Sequence, residues 1–204
     1  MNVAVFGGTF DPVHNGHLSV ARFILERRRA DRVLFLPAFH PPHKDGRALA
    51  PYEDRLAMLA DAIAGQDGFA VSDLESERPG KSYTIDTLDV LSARMPGDAL
   101  FWIIGSDSLN QLHLWHEAER LVDEYAFLTH PRPDALPRWR ELEKLWSPER
   151  LRRLRNGYLQ DAPLFPEASS DIRAAVAAGE DVSGRIPPST WNRIRARRLY
   201  GCPG

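Results

Sequence analysis

Residues 3–17 read VAVFGGTFDPVHNGH. The apolar run 3–6 stops at two glycines, and apolar residues then recur with helical spacing from Leu18 to Leu25. An apolar run bounded by glycine predicts a buried strand, and spacing of three to four residues predicts an amphipathic helix. The stretch therefore predicts a strand, a glycine turn and a helix in direct succession.

The same alternation continues along the chain. Further strands are predicted at residues 33–36, 69–74, 100–104 and 126–129, and further helices at 52–64, 84–95, 171–178 and 190–199. Strands alternating with helices favour right-handed crossovers, and thus an α/β protein with a doubly wound parallel sheet and helices on both faces. We predict one domain, 1–204, with a small C-terminal helical part at 167–204. The basic stretch 138–155 is predicted to form a peripheral helix or lobe outside the sheet core, within a peripheral segment 131–166.

Composition sets limits on the function. The chain has 204 residues, of which 43% are hydrophobic and 26% charged, as in an ordinary soluble globular domain. A formal net charge of −2 argues against a nucleic-acid partner, and the single cysteine, Cys202, excludes an internal disulfide. No apolar run approaches the roughly 18 residues of a membrane span, and residues 1–8 do not resemble a signal peptide. We expect a cytoplasmic protein without a membrane partner.

Two histidines follow the glycine turn. His14 and His17 are three residues apart at the start of the predicted helix, so both can lie on one face. Free N–H groups at a helix N-terminus favour anions. Imidazole donors there could bind phosphate oxygens and stabilise charge in a transition state. The alternative is a structural turn with an Asn15 cap and two surface histidines, but the combination with the strand and the glycines favours a phosphate site.

Four segments resemble one family in its own order. Residues 7–12 followed by His14-x-Gly16-His17 closely resemble the signature of the H-x-G-H nucleotidyltransferases. The segments HPPHK (40–44), SYTIDTL (82–88) and IGSDSL (104–109) with Trp115-His116 are similar to bacterial nicotinate-nucleotide adenylyltransferases. The resemblance implies a Rossmann-like fold and transfer of AMP from ATP to nicotinate mononucleotide, with release of pyrophosphate. The nearest alternative is a related adenylyltransferase that acts on nicotinamide mononucleotide or phosphopantetheine.

The resemblance also implies roles for single residues. His14 and His17 would be catalytic and would contact the ATP phosphates. Further ATP-binding residues would be Gly7, Gly8, Thr9, Phe10, Gly105, Asp107, Ser169, Ser170 and Arg173. The mononucleotide would be bound by His43, Lys44, Tyr83, Thr84, Trp115 and His116. Trp115 would stack on the nicotinate ring, and Lys44 would attract the mononucleotide phosphate. A core position for Trp115 and solvated positions for Lys44 and Arg173 are the structural alternatives, and a helix cap is the alternative for Asp107.

The chain departs from the family at its late motif, I-S-S-T-x-I-R. Residues 167–173 read EASSDIR, so Glu167 replaces an apolar residue and Ser170 stands in place of threonine, where it is predicted to cap a helix. Mg²⁺ is expected to arrive with ATP, held by phosphate oxygens, and no protein ligand for a metal is predicted. A nucleic-acid binder, suggested by five arginines and no acid in 183–204, and a catalytically inactive nucleotide sensor are alternatives of other classes. The sequence leaves the oligomeric state open.

Overall fold

All five predicted strands lie in one sheet. The structure is a computed structural model that describes residues 1–41, 49–77 and 80–202. The strands are β1 (Asn2–Gly8), β2 (Arg32–Pro37), β3 (Phe69–Val71), β4 (Ala99–Gly105) and β5 (Ala126–His130). They pair in parallel in the order β3-β2-β1-β4-β5, which confirms the predicted parallel sheet. The third strand ends earlier than predicted, because the N–H of Leu74 donates to the hydroxyl of Ser72 at 3.2 Å and begins a turn.

Helices cover both faces of this sheet. They are α1 (Asn15–Glu26), α2 (Tyr52–Ile63), α3 (Thr84–Arg94), α4 (Ser106–Gln111), α5 (Ala118–Glu124), α6 (Trp139–Leu145), α7 (Pro148–Asn156), α8 (Ser169–Ala177) and α9 (Pro188–Arg197), with 3₁₀ turns at Leu74–Glu77, Leu112–Leu114 and Leu199–Gly201. None of the helices in the described part of the chain is long and apolar enough to cross a membrane.

Two hydrophobic clusters result from the alternation of side chains along the strands. Successive residues of a strand point to opposite faces of the sheet. Ala4 and Phe6 therefore belong to one cluster, which also holds buried residues of α1, α2, α8 and α9. Val3 and Val5 belong to the other, which holds buried residues of α3, α5, α6 and α7. This arrangement confirms the doubly wound α/β fold.

The basic stretch 138–155 differs from the prediction. It forms two helices, α6 and α7, and the second begins where the Ser147 hydroxyl accepts from the N–H of Arg150 at 3.3 Å. Leu142 and Leu154 are fully buried in the second hydrophobic cluster, so the prediction of a segment outside the sheet core is wrong. The charges do not prevent this burial, because Arg150, one turn before Leu154, pairs with Asp123 of α5 at 2.7 Å.

The chain reverses its direction across the sheet between β1 and β4. From β1 it proceeds outward to β2 and β3, and it then returns to β4 and β5 on the other side. The strands that diverge at such a switch point leave a crevice at their carboxyl ends, and ligands of open α/β sheets bind there. These ends are Gly7 and Gly8 on β1 and Gly105 on β4.

Candidate active site

A cavity of about 560 Å³ opens at the carboxyl ends of β1 and β4. This volume lies within the range of small-molecule sites. It is lined by Gly7, Gly8, Thr9 and Gly105, and by residues 82–84 and 114–116. The sheet's switch point therefore coincides with the two segments that the sequence assigns to the mononucleotide.

Gly105 lies close to two charged side chains. A Cβ atom at this position would collide with the carboxylate of Asp107 and would lie 3.1 Å from Cγ of Arg132. Asp107 is exposed in the first turn of α4, which begins one residue earlier, at Ser106, so Asp107 does not cap this helix. Its carboxylate lies 4.0 Å from Nε of Arg132. An acid and a guanidinium thus flank the end of β4.

His14 and His17 fix each other at the start of α1. The N–H of His17 donates to Nδ1 of His14 at 3.3 Å, and the N–H of His14 donates to Nδ1 of His17 at 3.2 Å. The two rings stack with centroids 3.6 Å apart and planes 22° apart. His14 is therefore the residue that caps the helix, and Asn15 is its first residue. The helix cap holds both imidazoles side by side.

The hydrogen bonds assign the tautomer of these rings. A nitrogen that accepts a hydrogen bond carries no proton, so each neutral ring holds its proton on Nε2. The pKa of His14 is lowered to about 3, mainly by burial and then by the charges of Arg132 and Arg185 and by His130. His14 is consequently a neutral N–H donor near pH 7, in surroundings whose positive potential suits a polyanion.

Sequence reasoning missed three residues of these surroundings. His130 ends β5, and its pKa is lowered to about 4, mainly by burial and then by Arg132. His130 and Arg132 follow a predicted strand, and this position alone indicates that they lie at a carboxyl end of the sheet, where ligands bind. Arg185 belongs to no predicted element, and its carbonyl accepts from the N–H of Asn15 at 3.0 Å. No local pattern in the sequence indicates that contact.

The late motif lies against the loop that precedes α1, residues 9–13. Arg173 donates from Nη1 to the carbonyl of Asp11 at 2.7 Å and lies 3.6 Å from its carboxylate. The hydroxyl of Ser169 donates to the carbonyl of Pro12 at 3.0 Å. The start of α8 therefore lies beside loop 9–13.

Ser170 does not act as predicted within this motif. The N-cap of α8 is Ala168, so the prediction that Ser170 caps the helix is wrong. Its exposed hydroxyl donates to the carboxylate of Asp171 at 3.1 Å.

Glu167, the acid that departs from the family motif, directly precedes Ala168. Its Oε2 is buried and has no hydrogen-bond partner in the described ranges. A Cβ on Gly16 would lie 3.1 Å from this oxygen, so the acid reaches the first turn of α1.

Four of the six predicted mononucleotide residues line the cavity. Tyr83, Thr84, Trp115 and His116 all line it, and the rings of Tyr83 and His116 stack with centroids 4.3 Å apart. Trp115 is half-buried and also packs against the second hydrophobic cluster, so it has both a core and a cavity contact. His43 and Lys44 lie outside the described residues.

Two further residues of the cavity wall were not predicted. Glu75 is buried, and its carboxylate accepts a short hydrogen bond from the hydroxyl of Thr87. Both residues line the cavity. The ring of Phe10 is buried and packs edge-on against the His17 ring, with centroids 4.9 Å apart.

Comparison with known proteins defines the class. Residues 5–175 match the model of the cytidylyltransferase-like family. Because this match spans most of the chain, the protein belongs to the cytidylyltransferase-like family, whose members are nucleotidyltransferases.

The relatives within this class share one name. The chain is 39% identical to the "Probable nicotinate-nucleotide adenylyltransferase" of Synechococcus sp. (strain JA-3-3Ab), over 97% of this chain and 94% of the relative. It is 42% identical to the protein of that name from Symbiobacterium thermophilum, over the same two shares. These relatives support the family resemblance inferred from the four motifs.

A solved structure supports the fold. Plasmodium falciparum nicotinic acid mononucleotide adenylyltransferase, complexed with NaAD, superposes with a TM-score of 0.75 over 99% of this chain and 98% of that chain. Its sequence identity to this chain is 21%, so the similarity concerns the fold alone.

Proposed function

We infer that this protein transfers AMP from ATP to nicotinate mononucleotide, forming nicotinate adenine dinucleotide and pyrophosphate. The observation that carries this inference is the cavity at the sheet's switch point, where Tyr83, Thr84, Trp115 and His116 meet the glycine end of β1. The shared name of the relatives supports the same reaction. The stacked His14–His17 pair follows the same glycines along the chain.

The reaction needs charge stabilisation more than it needs a base. The phosphate of the mononucleotide is an anion at neutral pH, so its oxygen attacks the α-phosphorus of ATP directly while the bond to the pyrophosphate oxygen breaks. Such transfers depend on positioning and electrostatics. We propose that His14 and His17 donate to the phosphate oxygens. The neutral state of His14 and the nearby charges of Arg132 and Arg185 support this role.

We assign the remaining ATP contacts from the positions of the residues in the fold. Gly7, Gly8 and Thr9 would offer backbone and hydroxyl donors, and Arg173 would bind the outer phosphates with its guanidinium fork. Arg173 already lies against loop 9–13, which supports this assignment.

The mononucleotide would occupy the part of the cavity that is lined by residues 82–84 and 114–116. Thr84 begins α3, whose N-cap residue makes no side-chain hydrogen bond to the first turn. An uncapped helix N-terminus favours an anion, which suits the nicotinate carboxylate. We propose that Trp115 stacks on the nicotinate ring and that the backbone of His116 lies near the carboxylate.

We propose that Mg²⁺ enters the site with ATP. The described residues contain no group of three or more His, Cys, Asp or Glu side chains that could hold a metal ion. The ion would be held by phosphate oxygens and water, the usual state of Mg²⁺ in nucleotide sites. When bound, the ion would neutralise part of the phosphate charge. A cytoplasmic location stays a prediction.

A pyrophosphate-release assay tests the function. With ATP held constant, we expect the fastest turnover with nicotinate mononucleotide, compared with nicotinamide mononucleotide and phosphopantetheine. Faster turnover with either of the other two would identify the related adenylyltransferase instead. Binding of ATP without turnover of any acceptor would indicate a nucleotide sensor.

A further inference from the structure

The C-terminal 3₁₀ turn, Leu199–Gly201, reaches loop 9–13 from the far end of the chain. The hydroxyl of Tyr200 donates to Oδ1 of Asp11 at 2.8 Å. Asp11 is only 1% exposed, so this bond is shielded from water. Burial and the neighbouring Asp11 carboxylate raise the pKa of Tyr200, so the hydroxyl keeps its proton and remains a donor.

Tyr200 and the residue that precedes Asp11 both have unfavourable backbone conformations. Phe10, next to Asp11, has φ of 47°, and Tyr200 has φ of 58°. Left-handed backbone is costly for a residue with a Cβ and persists only where surrounding contacts impose it. The structure supplies such contacts on both sides of Phe10. Arg55 donates to the carbonyl of Thr9 at 2.8 Å, and Asp11 Oδ1 also accepts from the N–H of Ala50 at 3.1 Å.

Asp11 connects the C-terminal turn to two candidate ATP-binding residues. Its carbonyl accepts from Arg173 at 2.7 Å, and its Oδ2 lies 3.6 Å from the same guanidinium. Oδ2 has no hydrogen-bond partner within 1–41, 49–77 and 80–202, so the two bonds to Oδ1 set the orientation of the carboxylate. Through the adjacent Phe10, whose ring packs on His17, the same loop bears on the imidazole pair.

We propose that Tyr200 is a positioning residue for the triphosphate end of the site. Its hydroxyl holds Asp11, and loop 9–13 in turn holds Arg173 and His17 in the orientation that receives the phosphates. Tyr200 itself touches neither the substrates nor the reacting atoms. The inference rests on the proposed function and adds a residue, outside every recognised motif, that governs the ATP side and not the mononucleotide side.

Tyr200→Phe tests the proposal, because it removes one oxygen and keeps the ring. Tyr125→Phe is the matched control: the hydroxyl of Tyr125 donates to a carboxylate of Asp89 at 2.7 Å, and neither residue lines the cavity. A hydrogen bond to a charged group corresponds to roughly tenfold in an equilibrium constant. We expect Tyr200→Phe to raise KM for ATP by about that factor and to leave KM for the mononucleotide unchanged, while Tyr125→Phe changes neither.

A binding measurement separates this proposal from the proposed reaction. Calorimetric titration with a non-hydrolysable ATP analogue gives a Kd that does not depend on turnover. Absence of turnover in the wild-type protein, with normal analogue binding, would overturn the proposed function but not the role of Tyr200. An unchanged Kd in Tyr200→Phe, with a lowered unfolding temperature as in Tyr125→Phe, would show a purely structural bond and overturn the role.

Removal of the acceptor gives a second test that leaves the tyrosine ring intact. Asp11→Ala removes the acceptor, and the double variant Asp11→Ala/Tyr200→Phe should then bind no more weakly than Asp11→Ala alone, as expected for residues that act through one contact. Additive losses in the double variant would overturn the proposal.

Discussion

His14 and His17 have a structural role and a chemical role at once. Each ring accepts a backbone hydrogen bond through Nδ1 and thereby caps α1, and this use of Nδ1 places the proton on Nε2. A replacement that removes the ring therefore disturbs both the helix start and the phosphate contacts. Variants must be chosen to separate the two effects.

His17→Glu makes that separation. Glutamate at the third helical position accepts from the N–H of the capping residue in a capping box but has no N–H to donate, so the start of α1 is preserved while the donor is lost. We expect its thermal stability to lie closer to the wild type than that of His17→Ala. Turnover should fall by about 100-fold to 1,000-fold in both, because both lose a donor to the transition state. Near-normal turnover in either variant would contradict the catalytic assignment.

At the scale of elements, the segment between α4 and α5 carries Trp115. We expect Trp115→Ala to raise KM for the mononucleotide by about tenfold, through lost stacking, and to leave KM for ATP unchanged. Trp139→Ala is the control, because Trp139 is also half-buried against the second hydrophobic cluster but does not line the cavity. A loss of stability without a change in KM would make Trp115 a core residue only.

The helices α6 and α7 belong to the core and not to a peripheral lobe. Leu154→Ala should accordingly lower the free energy of unfolding by about 2–5 kcal/mol, as for other fully buried leucines. Leu145, which is 48% exposed on α6, is the matched position, and its replacement by alanine should change stability by no more than about 0.5 kcal/mol. Urea denaturation of the two variants measures both values, and equal effects would contradict this view of the segment.

For the whole molecule, buried histidines make stability depend on pH. The folded-state pKa values of His14 and His130 are about 3 and about 4, below the ordinary value of 6.5. Between the folded-state values and 6.5, the unfolded chain binds more protons than the folded protein does. The free energy of unfolding therefore falls as the pH decreases from 6.5. We expect the urea midpoint of the wild-type protein to decline from pH 7 to pH 5, and that of His130→Gln to decline less steeply. An equal decline in both proteins would show that His130 does not contribute to the pH dependence of stability.

Much of the fold and part of the site follow from local patterns. The apolar run before the glycines, the helical spacing after it and the later strand–helix alternation predict the parallel sheet, because each element buries a periodic face. The carboxyl ends of parallel strands meet at one edge, so the residues after predicted strands were expected near the cavity. The same rule places His130 and Arg132, which follow the last predicted strand, at this edge.

The sequence alone determined the succession of elements, the glycine turn and the histidine spacing, because these depend on residues that are near neighbours in the chain. Only the tertiary structure decided the pKa of His14, the burial of α6 and α7, and the bond from Tyr200 to Asp11. Those features depend on polar and apolar groups that are distant in sequence and lie together only after folding. No local periodicity encodes such partners, because burial and charge act through space and not along the chain.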